Sequence, residues 1–286
     1  MTTTAAVPSL WSRHDYSRRG LALSYLDTAP EASDKPVVLL LHGFPDSAEM
    51  WSGVARGLVA AGYRCIAPDT VGCGESAIAP RVGDYRMSAI TGDFIALLDR
   101  LGIGEVAVIG HDWGALLAWY LAAHHPQRVR RMVAVSVGHP MAYAHAGLSQ
   151  KLRGWYTVFF QLRGVAEYLL QREGPTHLTR LVVTHPNPVE VMQRMHQPGR
   201  LTAALRIYRA NLLDVLFKRC PPVKCPVLGV WSTGDDYLTE RQMRDSVKFV
   251  EAAFHMEIVE GGHWIPLEQA EVLARQAVAF FGESAA

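Results

Sequence analysis

The chain has 286 residues, of which 49% are apolar and 19% charged. That is enough apolar content for a sizeable buried core, and it argues against a disordered chain. Lysine and arginine number 28 against 27 aspartate and glutamate, a net charge of +1, so the overall balance points to neither nucleic acid nor a membrane surface as partner. No apolar run is long enough to span a bilayer, and the first twenty residues lack the apolar stretch of a secretory leader. Cys65, Cys73, Cys220 and Cys225 fit no zinc spacing, and reduced thiols in a cytoplasmic protein are the expectation.

Residues 21–26 and 36–41 are short β-rich apolar runs and are predicted as strands. A helical pattern covers 50–61, a strand 63–67, and a second helix 87–101. A strand at 106–109 runs into a helix at 113–125, and another strand follows at 132–137. From 139 to 217 only helical patterns occur, with Trp155, Tyr156, Phe159, Phe160, Tyr168 and Tyr208 among them. The alternation resumes with a strand at 227–231, a helix at 240–249, a strand at 255–259 and a helix at 267–281. Alternating units of this kind imply an α/β fold with a mostly parallel sheet and helices on both faces. Residues 1–138 and 218–286 are expected to form the core, and 139–217 a helical cap over the carboxyl ends of the strands, where such sheets carry their sites.

The segment Gly110-His111-Asp112-Trp113-Gly114 lies between a predicted strand and a predicted helix. Two glycines flanking one residue let a strand–helix turn close tightly. This is the spacing of a nucleophile elbow, with aspartate where serine is usual. An aspartate needs no base to activate it, because its reference pKa of about 3.9 leaves it ionised at neutral pH. Attack on saturated carbon would leave an ester on the enzyme, which water must cleave. Without other motifs, Asp112 could be no more than a helix cap.

The other motifs complete a site. His42-Gly43-Phe44-Pro45 follows a strand and can aim a backbone N–H at the elbow. The N–H groups of Phe44 and Trp113 are expected to form an oxyanion hole, with His42 structural. Asp235 and Asp236 lie in a loop after the strand at 227–231, and His263 follows the last strand. The order Asp112, Asp236, His263 is nucleophile, acid, base. Asp236 is the expected acid, with Asp235 as a turn cap. His263 would deprotonate the hydrolytic water. Phe44, Trp113, Phe159 and Phe160 are the expected apolar pocket.

Taken together, His42-Gly43-Phe44-Pro45, Gly110-His111-Asp112-Trp113-Gly114, Asp236 and Gly262-His263-Trp264 resemble the epoxide hydrolases of the α/β-hydrolase superfamily, across residues 11–281. The segments around Tyr156 and around Tyr208 resemble that family's two cap tyrosine motifs. The resemblance implies that both hydroxyls point at the epoxide oxygen, where two O–H donors stabilise the charge left by ring opening. It implies a small apolar epoxide and water as reactants, no cofactor or metal, and a monomer or homodimer. Two segments depart from the family, 68–76 and 136–140, and neither is expected to touch the triad. Haloalkane dehalogenases resemble the same elbow, but Phe44 lacks the second halide donor that group typically carries. A ligand-binding protein that has lost the chemistry is the reading from a different class, and the complete triad argues against it.

Overall fold

A computed structural model describes residues 10–32, 34–172, 174 and 177–283. Residues 1–9, part of the segment expected to lack a leader, lie outside these residues. Eight strands form one sheet: β1 (Ser12–Arg18), β2 (Leu21–Asp27), β3 (Val37–Leu41), β4 (Arg64–Pro68), β5 (Val106–His111), β6 (Val129–Val135), β7 (Val227–Ser232) and β8 (Phe254–Val259), in the order β1-β2-β4-β3-β5-β6-β7-β8. From β4 across to β8 the pairing is parallel, while β1 and β2 add an antiparallel edge.

The sheet separates two cores, and the side-chain alternation of its strands shows how. In β3, Val37, Leu39 and Leu41 enter one core and Val38 and Leu40 the other. In β5, Val108 and Ile109 divide in the same way. One core packs under α2 (Met87–Arg100) and α3 (Trp113–His124). The other packs under α1 (Ser52–Ala60) and a C-terminal helix, Ala270–Gly282. Helix α3 is buried almost all round, so it has no polar face to reveal a helical period.

Strand β1 has no counterpart among the predicted strands. Its sequence, SRHDYSR, buries only Tyr16 fully, because an edge strand turned to solvent needs no apolar alternation. Two predicted helices are each divided. Residues 240–249 are a helix over Glu240–Arg244 followed by a tighter turn over Asp245–Phe249. Residues 267–281 begin inside a short helix, Ile265–Glu268, that breaks before the last one.

Between β6 and β7 the described residues form seven helices: α4 (Pro140–Ala144), α5 (Leu148–Arg153), α6 (Trp155–Phe159), α7 (Val165–Gln171), α8 (Leu178–Leu181), α9 (Pro188–His196) and α10 (Arg200–Phe217). Side chains from α6, α8 and α10 share a cavity with the C-terminal ends of the parallel strands. Among the described residues, no helix is long and apolar enough to cross a membrane.

Candidate active site

Asp112 stands between β5 and α3 with φ 53° and ψ −122°, in the left-handed half of backbone space that a side chain rarely occupies. The surrounding glycines make this turn possible. A Cβ on Gly114 would lie 1.9 Å from the Leu41 carbonyl oxygen, and one on Gly110 2.3 Å from the Gly114 oxygen. The helix therefore starts directly against β3, and Asp112 is lifted to the strand ends. Gly43 serves the same end from the facing loop, since a Cβ there would lie 2.4 Å from that of Asp112.

That approach brings the Phe44 N–H to 2.8 Å from Asp112 Oδ1, and the Trp113 N–H, next in the chain, acts on the same carboxylate electrostatically. Of the two expected oxyanion donors, Phe44 is in hydrogen-bond contact with Asp112. Burial pushes the Asp112 pKa up, and the His263 charge and these two N–H groups pull it back. Free solvent chemistry is therefore a poor guide to this carboxylate, and its ionisation depends on its partners.

His263 Nε2 lies 3.9 Å from Asp112 Oδ2, too long for a direct hydrogen bond. On its other side, His263 Nδ1 is 2.9 Å from Asp235 Oδ2. The expected acid was Asp236, and here the structure corrects the sequence: Asp236 is exposed, whereas Asp235 is buried against the imidazole. Asp235 Oδ1 accepts the N–H groups of Tyr237 (2.8 Å) and Leu238 (2.9 Å). It caps its own turn with one oxygen and holds the histidine with the other, so the turn-capping role assigned to it coexists with the acid's place. A carboxylate that bonds the N–H two residues on is an Asx turn, and only the first of the two aspartates can make it here.

Burial opposes a charge on His263, but Asp235 and Asp112 outweigh it and the pKa stands above the ordinary imidazole value. The backbone carbonyl of His263 is fixed by His111 Nε2 (2.9 Å) and by the Ser136 hydroxyl (3.2 Å). Burial holds His111 down to about pKa 3, so it is a neutral donor. Ser136 belongs to a segment expected to stay clear of the triad; it bonds the backbone of His263 instead. His42 is a buried scaffold, accepting the Thr70 N–H at Nε2 (3.0 Å).

Tyr156 from α6 and Tyr208 from α10 face the same cavity as Asp112, their ring centroids 6.2 Å apart. Burial, reinforced by the charge of Asp112, drives both phenols well above their usual pKa, so both are protonated donors. Phe44 and Phe160 line the cavity, packed on Tyr208 at 5.5 and 4.8 Å. Phe159 is not among its lining residues, and Trp113 lines an adjoining apolar cavity behind Phe44. The Trp113 ring packs edge-on against that of Tyr208 at 5.0 Å.

Four lining residues had no role assigned from the sequence: Leu181, Val182, Tyr237 and Trp264. Tyr237 stacks edge-on near His263 (4.9 Å), and its hydroxyl donates to the Leu181 carbonyl (2.5 Å). Its signal was its place directly after the acidic pair. Leu181 and Val182 left none, because an apolar pair at the end of a short helix looks like any core pair. A further cluster ties the insertion to the core. Asp46, just after Pro45, is buried between His185 Nε2 (3.2 Å) and Arg194 (3.2 Å), both from the insertion.

The protein family described as alpha/beta hydrolase fold matches residues 36–270. The AB hydrolase superfamily protein YfhM of Bacillus subtilis is 28% identical over 84% of this chain and 88% of its own length. Epoxide hydrolase 4 of Mus musculus is 28% identical over 96% of this chain and 81% of its own. Among solved structures, Cfl2 of Burkholderia cenocepacia superposes with a TM-score of 0.82 at 26% identity, covering 95% of this chain and 96% of that one. The fold, the elbow and these comparisons agree: the chain belongs to the alpha/beta hydrolase family, and its relatives include proteins named epoxide hydrolases.

Proposed function

We propose that this protein hydrolyses a small apolar epoxide to a vicinal diol through an ester on Asp112. The observation that carries the reading is one carboxylate with two differently placed oxygens. Oδ1 is bound by a backbone N–H, Oδ2 is the oxygen on the His263 side, and the residue lines the cavity that both tyrosines share.

In this scheme Oδ2 attacks a ring carbon, and the C–O bond of the ring breaks. Tyr156 or Tyr208 gives its proton to the departing oxygen. The Asp112 charge is consumed in the ester, and with it goes one of the two charges that raised the His263 pKa. The imidazole therefore becomes a better base for neutral pH at the moment a base is needed. Water loses a proton to His263 and attacks the ester carbonyl carbon. The oxyanion forms on Oδ1, between the Phe44 and Trp113 N–H groups. Collapse expels the diol, which takes its proton from His263, and the proton released by carboxylate formation restores the tyrosine.

Asp235, by this reading, is the acid of the triad. The test is a single turnover in heavy-oxygen water. The label is expected first in the Asp112 carboxylate and not in the diol; label passing straight into the diol overturns the two-step scheme. If no epoxide turns over and halide is released from haloalkanes instead, the tyrosine roles fall with it.

A further inference from the structure

The outer surface of the insertion carries apolar side chains that nothing among the described residues covers. Leu148 is 70% exposed, Leu152 65% and Val158 64%, with Trp155, Leu162 and Val165 each more than half exposed. They recur every three or four residues along α5, α6 and the start of α7, which brings successive members to one side of each helix. A run of this size on a soluble surface marks something that binds there.

Charge chooses the partner. Residues 148–173 contain Lys151, Arg153, Arg163 and Arg172 against two acidic residues, Glu167 and Glu173. Glu167 is not free to balance them, because its carboxylate is bound by Arg209 at 2.7 Å and holds the Gly164 N–H. The even total charge of the chain conceals this local excess. A second copy would meet the patch with the same basic set on both sides of a two-fold seam.

We propose that this face is a docking surface for an anionic lipid bilayer, with Trp155 and the leucines in the interfacial region and Lys151, Arg163 and Arg172 over the headgroups. The geometry links the surface to the site. Trp155 and Val158 face outward from the same five-residue helix that sends Tyr156 into the cavity. One helix thickness would then separate the lipid from the active site.

The test is co-sedimentation of the full chain with phosphatidylcholine vesicles, with and without phosphatidylglycerol. Binding is expected to be roughly tenfold or more stronger with the anionic lipid at about 0.1 M salt, and to weaken as salt rises. The double variant Lys151→Glu/Arg163→Glu is expected to lose at least about 25-fold, since each basic residue near the surface is worth roughly fivefold. Leu152→Ser/Trp155→Ser is expected to weaken binding with its melting temperature unchanged. Equal or absent binding to both vesicles overturns the proposal. So does a dimer, seen by sedimentation equilibrium, that Trp155→Glu splits into monomers, because the second copy would then be the occupant.

Discussion

Asp235→Asn keeps the size of the side chain and the cap on the Tyr237 and Leu238 N–H groups, but removes the charge on which His263 rests. The two groups are in contact at 2.9 Å and both are buried, so solvent screens them little. With charge centres about 4 Å apart and an effective dielectric of about 20, the lost attraction is about 4 kcal/mol. If all of it stabilises the imidazolium formed in ester hydrolysis, the second step slows by up to about a thousandfold. The first step needs no proton on His263 and should persist. The variant is thus expected to trap the ester, which stopped-flow fluorescence of the active-site tryptophans and mass spectrometry of the quenched enzyme would detect. Its pH profile should change as well: without Asp235 the imidazole loses its proton at lower pH, so the remaining activity should rise earlier on the acid side. Asp236→Asn, on an exposed side chain, should leave both steps within about twofold. The reasoning fails if Asp236→Asn traps the ester and Asp235→Asn does not.

Three further outcomes are expected. Tyr156→Phe and Tyr208→Phe should each slow ester formation by roughly ten- to a thousandfold and the pair should nearly abolish it, while hydrolysis of an ester already formed is spared; this is read by single-turnover kinetics. Gly114→Ala forces a Cβ against the Leu41 carbonyl and should cost about 3 kcal/mol, a fall of roughly 6–12 °C in melting temperature by calorimetry. The pH dependence of stability follows from His263, whose folded pKa is raised. Its contribution is fully present below the unfolded value of about 6.5 and is lost as pH rises through the folded one. The melting temperature of the wild type should therefore fall more steeply on the alkaline side than that of His263→Gln, as followed by thermal scans across pH.

What the sequence revealed tracks how local each constraint is. The elbow was legible because the turn's demand falls on adjacent positions: Gly110, Asp112 and Gly114 must be close in the chain to be close in space. The strands β3 to β7 were legible because burial on both faces leaves continuous apolar runs. Strand β1 was hidden for the opposite reason, being held by backbone pairing to β2 with little side-chain burial. The acid was misplaced by one residue, since Asp235 and Asp236 differ in which way the turn points them and not in composition. The helical insertion showed its extent, yet not which of its apolar residues faces the cavity: Phe159 and Phe160 are neighbours in sequence, and only Phe160 lines it.

The buried Asp46 bound by His185 and Arg194 has a consequence for how such a protein can diversify. The loop that carries Phe44 and the insertion above it meet at a buried carboxylate, Asp46, held by the side chains of His185 and Arg194. Replacing the insertion with one lacking His185 and Arg194 would strand a buried carboxylate, at a cost of about 3–5 kcal/mol. Grafting a foreign insertion onto this core should therefore yield stable chimeras only when position 46 is exchanged along with it. New substrate range is more accessible through single replacements inside the existing insertion, at Leu181, Val182 or Phe160, than through wholesale exchange.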